Sequence, residues 1–185
     1  MAGTKKKSKK EKRTIVFSDQ SGFYLLPALV RTYAPKGKTP ILEETLSRDH
    51  LSAMSGITPT GKLFMRVQKD SYKGKDVVRF LKHLLANITG KILLIWDRSP
   101  IHRAKEVKTF LFNGAAKRLH IEQLPAYAPE LNPDEGIWNY LKNVELRNIC
   151  CTNLKGLNYE LLKAKERLRH KKDIILACIK QPGFY

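Results

Sequence analysis

Little in this chain is of the kind that staples a fold or crosses a membrane. It has only three cysteines, Cys150, Cys151 and Cys178. They form no C-x-x-C pair and no even set, which excludes a cysteine-based zinc site and a disulfide framework and fits a reducing cytoplasm. No apolar run approaches the roughly 18 residues that a spanning helix needs, so no membrane partner is expected. The basic start, MAGTKKKSKKEKR, is followed by only a few apolar residues and is not a secretory signal. Internal repeats and interior low-complexity segments are also lacking. Acid is scarce: 17 Asp and Glu stand against 35 Lys and Arg, for a net charge of +18.

The 185 residues make one domain, or one domain with tails. A hydrophobic content of 42% is enough for a core, and a mean hydropathy of −0.38 suits a water-soluble chain. Residues 1 to 13 carry seven Lys/Arg and one Glu, so a disordered Lys-rich arm supplies +6 and the body still holds +12. A body that basic repels itself unless it meets a polyanion, and nucleic acid is the usual one. The plainer alternative is a soluble or ribosome-associated basic protein.

Periodicity predicts the elements. Thr14 to Ser18 is a short β-branched and aromatic run, read as a buried strand with Asp19 at its end, and Gly22 to Leu29 as a second apolar segment. Tyr33 to Pro40 (YAPKGKTP) is turn-rich. His50 to Ile57 and Lys62 to Gln68 flank Thr58-Pro59-Thr60-Gly61, a hairpin pattern. Asp76 to Ile88 has helical spacing and stops before Gly90. Lys91 to Trp96 (KILLIW) is continuously apolar, as expected of a central strand covered on both faces, and Asp97 follows at once. A helix over Arg103 to Phe112, a strand over Leu119 to Leu124 and a basic amphipathic helix over Leu154 to Ile179, broken in two or not, complete the order. Strands followed by α, β, α, β, α argue for an α/β sheet with helices on both faces.

Leu124 to Lys142, LPAYAPELNPDEGIWNYLK, reads as a loop that starts a helix at Pro133. Asn132 suits the N-cap and Pro133 the first helical position. Glu135, in the first turn, has two readings: half of a capping box with Asn132, or a metal ligand on a rigid helix. In α/β sheets ligands collect at the carboxyl ends of strands, where Asp19 and Asp97 stand, and Glu135 follows soon after the next strand. Hard divalent cations take oxygen ligands, so two or three carboxylates suffice for Mg²⁺. A paired set of ions activates the attacking oxygen and stabilises the leaving one in phosphoryl transfer. A basic body that grips phosphates around an acidic cluster is what a metal-dependent nuclease requires.

Three segments, Phe17 to Pro27 (FSDQSGFYLLP), Leu94 to Arg103 (LIWDRSPIHR) and Leu124 to Lys142, resemble the catalytic domain of the Tc/mariner superfamily of transposases, in its bacterial insertion-sequence branch. Arg31 to Pro40 (RTYAPKGKTP) is similar to that branch too, and the resemblance covers roughly residues 14 to 145. It implies a ribonuclease H-like fold, a mixed five-stranded sheet with helices on both faces, and a D-D-E triad. Carried across, the triad is Asp19, Asp97 and Glu135, with 37 residues between the last two, and Asp134 is a decoy neighbour. The implied cofactor is a pair of Mg²⁺ ions, with Mn²⁺ as a substitute. Arg98, His102, Arg103, Lys36 and Lys38 are the implied DNA contacts; His102 also suits a helix-terminal or packing role. Trp138 is read as core rather than as a base-stacking platform. Gln20 stands where many relatives carry Glu.

The implied activity is metal-dependent cleavage and transfer of double-stranded DNA at transposon ends and target, in the cytoplasm with the nucleoid. The domain reading is an arm over 1–13, a catalytic domain over 14–148 and a basic helical extension over 149–185. Full-length relatives carry helix-turn-helix domains upstream. The expectation is therefore a downstream frame of a split transposase, or a truncated copy, partnered by an upstream-frame DNA-binding protein and dimeric during transposition. Two rivals stay open: a catalytically silent DNA-binding remnant, and another ribonuclease H-like nuclease acting on RNA or a hybrid.

Overall fold

A computed structural model describes residues 13–26, 31, 33–38, 41, 47–126 and 128–181. The expected arm lies outside the described residues, except for Arg13, which opens the first strand. Five strands, β1 (Arg13–Tyr24), β2 (His50–Ile57), β3 (Leu63–Gln68), β4 (Lys91–Trp96) and β5 (Leu119–Gln123), form one sheet in the order β3-β2-β1-β4-β5. β1, β2 and β3 are antiparallel neighbours, whereas β1, β4 and β5 run parallel.

The first strand is longer than its apolar run predicts. Thr14 to Ser18 and the segment from Gly22 are a single strand, continuous through Asp19, because the polar stretch pairs with β2 from Phe17↔Ile57 to Tyr24↔His50. Residues 27–29 of the expected second segment lie outside the described residues. The β2–β3 hairpin forms as expected. Gly61 takes φ +77°, and Thr58 closes the turn through backbone bonds of 3.0 and 2.9 Å.

Helices cover both faces. On one side, α1 (Gly74–Asn87) and α2 (Lys105–Phe112) pack on Val16, Met54, Leu94 and Trp96 through Val77, Phe80, Leu84 and Val107. On the other lie α3 (Pro133–Tyr140), α4 (Leu154–Arg169) and α5 (Lys172–Lys180). They bury Ile137, Leu141, Leu161, Leu168 and Ile175 in one cluster with Phe17, Ala53, Leu93 and Ile95. Alternate residues of β1 and β4 thus feed opposite cores, as the period of a strand demands. The long C-terminal helix breaks in two at His170 and Lys171. Its halves, expected as an extension, share this second core. Half-buried Glu145 fastens them through Arg167 at 2.6 Å and Lys171 at 2.8 Å.

Candidate active site

The sheet brings two aspartates side by side. β1 and β4 run parallel up to the pair Phe17↔Ile95. Asp19 and Asp97 each stand two residues further on, so strand alternation puts both on the α3 face at the carboxyl edge. The chain then rises through β5, whose Leu124 N–H bonds to the Trp96 carbonyl at 2.8 Å, and crosses the edge to α3. Asn132 caps this helix, its side-chain oxygen accepting from the Asp134 N–H at 3.3 Å, with Pro133 first and Glu135 third. The N-terminal end of a helix favours a carboxylate there.

Asp19, Asp97 and Glu135 consequently line one cleft of about 390 Å³, together with Arg98, Leu124 and Asn132. Glu135 is exposed; its backbone N–H bonds to the Asn132 carbonyl at 3.1 Å, and its carboxylate is not engaged as half of a capping box. Asp134 turns the other way. It is fully buried, accepts from the Ser55 hydroxyl at 2.7 Å, and its Oδ2 has no partner among the described residues. Burial, reinforced by the charge on Asp19, pushes the Asp134 carboxyl well above the usual range.

The two aspartates differ in their surroundings. Burial raises Asp19 to about 6, and the charges of Glu135 and Asp97 add to this, while Trp138 and the Gln20 backbone N–H work against it. The Trp138 indole N–H donates to Asp19 Oδ2 at 3.0 Å. Asp97 is lowered, chiefly by its bond to His102, whose Nδ1 lies 3.0 Å from Asp97 Oδ1. The His102 ring stacks on Trp96 with centroids 3.9 Å apart and planes 6° from parallel. Its Nε2 lies 3.0 Å from the Gln20 side-chain nitrogen. Because the amide nitrogen can only donate, Nε2 accepts from Gln20 and Nδ1 carries the hydrogen that faces Asp97.

The sequence-predicted DNA contacts separate. Arg98 is exposed at the rim, with its Nε bonded to the Leu124 carbonyl at 3.1 Å. Arg103 is exposed on the short turn of helix Pro100–Arg103. Lys36 and Lys38 are exposed in a turn closed by the Lys38 N–H on the Pro35 carbonyl, and neither lines the cleft. The His102 side chain is 2% exposed and turned to Asp97, not to a surface where a phosphate could reach it.

Two residues of the site were missed as such. Trp138 is core, as expected, but its N–H serves Asp19. Lys142 leaves α3 on the π-turn Leu141–Glu145 and donates to the Ser21 hydroxyl at 2.8 Å. Burial lowers its pKa, and the charges of Glu135 and Asp19 oppose that shift. Spacings of three and seven from Glu135 put Trp138 and Lys142 near its side of the helix, which is the signal that could have found them.

All three carboxylates offer the hard oxygen donors that a divalent cation takes, and at Asp19 the charges of Glu135 and Asp97 add to the larger effect of burial. Among the described residues no three His, Cys, Asp or Glu groups close tightly enough to hold one ion alone.

A mixed sheet in the order 3-2-1-4-5, helices on both faces and carboxylates at the carboxyl edge define a ribonuclease H-like domain. The chain belongs to the DDE superfamily endonuclease family, whose sequence profile matches residues 14–157. Among solved structures, it is similar to the Mos1 strand transfer complex at 14% identity and a TM-score of 0.71, over 98% of this chain and 54% of that one. It is similar to the mariner Mos1 paired end complex with Mg at 15% identity and a TM-score of 0.69, over 98% and 57%. The catalytic domain of Mos1 mariner transposase superposes at 13% identity and a TM-score of 0.55, over 97% and 88%. Identities this low establish the shared fold. The chain spans about half the length of the transposase chains in the first two complexes. No curated protein sequence matches it.

Proposed function

We propose that this chain is the catalytic domain of a transposase of the Tc/mariner superfamily, in its bacterial insertion-sequence branch, and that it cuts and joins double-stranded DNA. The observation that carries the reading is the meeting of Asp19, Asp97 and Glu135 in one cleft rimmed by Arg98. Asp19 and Asp97 would hold two Mg²⁺ ions, or Mn²⁺ in their place, and Glu135 would complete one site. Bound there, the ions supply activation of the attacking water or 3′-hydroxyl and stabilisation of the departing 3′ oxygen.

The remaining work falls to the protein. The net charge of +18 draws the DNA backbone in a salt-sensitive, sequence-blind way. Arg98 stands at the cleft mouth, where a phosphate enters. His102, held by Trp96 and Gln20, keeps Asp97 ionised and oriented. Trp138 fixes Asp19 from behind. Recognition of transposon ends is assigned to a DNA-binding part outside the catalytic unit, expected from an upstream frame, and the active assembly to a dimer.

Labelled duplex DNA and an RNA–DNA hybrid of the same sequence, each with Mn²⁺, test the reading. The expected result is cleavage of DNA, abolished by chelator. Preferential cutting of the hybrid would move the chain to the RNA-directed nucleases of this fold, because the 2′-hydroxyl is what separates the substrates.

A further inference from the structure

The chain has two tryptophans, and each sits behind one of the two aspartates of the cleft. Their indole N–H groups are used differently. Trp96 is 1% exposed and packs by its face on His102, and its buried Nε1 has no partner among the described residues. Packing in this core therefore does not by itself supply an indole with an acceptor. Trp138 is 3% exposed and meets Phe23 edge-on, with centroids 5.9 Å apart at 74°. That packing denies the ring freedom to swing, and its N–H is aimed at Asp19 Oδ2 from 3.0 Å.

We propose that Trp138 is a positioning residue for Asp19: its indole N–H holds Oδ2 so that the carboxylate presents its other oxygen to the cleft. The inference rests on the reading of the cleft as a divalent-cation site. Its physical content is preorganisation. The charge-assisted hydrogen bond at Oδ2 joins the Gln20 backbone N–H in restricting the carboxylate, and a restricted ligand loses less freedom when it binds. Trp138 lies three residues after Glu135 on α3, so one rigid helical turn carries one carboxylate and orients another that is 116 positions away in the chain. Displacing α3 would thus disturb Glu135 and Asp19 together. Such partners behind metal ligands govern affinity, and their loss typically weakens binding about 10–100-fold.

The test uses the whole chain and Mg²⁺ or Mn²⁺ alone. With nitrogen-labelled tryptophan the protein gives two indole N–H signals, which Trp96→Phe assigns. Titration with Mg²⁺ should shift the Trp138 signal far more than that of Trp96. Trp138→Phe keeps a packed ring and removes the donor. It should bind Mn²⁺ at least about tenfold more weakly by calorimetry, with an unchanged circular dichroism spectrum. Metal binding by the wild type with the Trp138 signal unmoved, or equal affinity in a folded Trp138→Phe protein, would overturn the inference alone. No metal binding by the wild type would overturn the cation-site reading and the inference with it. Should Trp138→Phe fail to fold, the titration of the wild-type indoles decides.

Discussion

Asp19→Asn should change how the metal-free protein responds to pH. Burial, with the charges of Glu135 and Asp97, lifts this carboxyl from 3.8 to about 6. The shift corresponds to a penalty of roughly 3 kcal/mol on the ionised form. A carboxyl whose folded pKa lies above its unfolded value favours folding while it is protonated. Its contribution is complete below about 3.8 and is lost as the pH climbs through about 6. Asparagine cannot ionise, yet it keeps an oxygen for the Trp138 N–H. In chelator, the stability of the wild type relative to Asp19→Asn should therefore fall by about 2 kcal/mol between roughly pH 4 and pH 7.5. Urea unfolding followed by circular dichroism at a series of pH values measures this difference, to which the part of the Asp134 shift that comes from the Asp19 charge adds with the same sign. Divalent metal should reverse the order, because a ligand at a hundredfold excess over its Kd stabilises the wild type by about 2.7 kcal/mol. Unfolding curves that stay parallel in chelator across this range would refute the reasoning, since Asp19 would then carry no penalty for metal to relieve.

Two further outcomes follow from neighbouring contacts. His102→Ala removes the 3.0 Å partner that holds Asp97 below the usual carboxylate range. Cleavage should fall about tenfold. Its acid limb should move to higher pH, because Asp97 then takes up its proton earlier as the pH falls; a pH–rate profile checks both. Gly136→Ala places a methyl group 2.8 Å from the Cys178 Sγ and 3.0 Å from its Cβ, where α3 crosses α5. Such overpacking costs about 1–3 kcal/mol. Thermal unfolding should show the loss, and adding Cys178→Ala should recover only part of it, since the second contact remains.

The apolar runs predicted most of the sheet, and what they left out has a physical cause. KILLIW is covered on both faces, so it reads as a strand without alternation, and β4 spans those residues. β1 reads as two pieces because Asp19 to Ser21 is polar. Those residues lie at the end of the strand that serves the cleft, where Asp19 meets Trp138, Gln20 meets His102 and Ser21 meets Lys142. Local hydropathy fails there because the site requires polar side chains on a paired strand. Asp134 and Glu135 are indistinguishable by composition, yet one is fully buried and the other exposed, which the motif register anticipates and periodicity does not. The apolar spacing of α4 shows that Leu161 and Leu168 are buried, but not that they complete the core behind the site. Contacts between distant segments, such as Trp138 with Asp19, depend on the sheet order and are invisible to any window of sequence.

On the proposed function, DNA strands are cut in the cleft of Asp19, Asp97 and Glu135. Nicking of supercoiled plasmid at low salt with Mn²⁺, by the wild type and by Asp97→Asn, tests it most directly. The wild type should give nicks that vanish in chelator and in Asp97→Asn, while the variant still binds DNA. Nicking that persists undiminished in Asp97→Asn, or without metal, would contradict it.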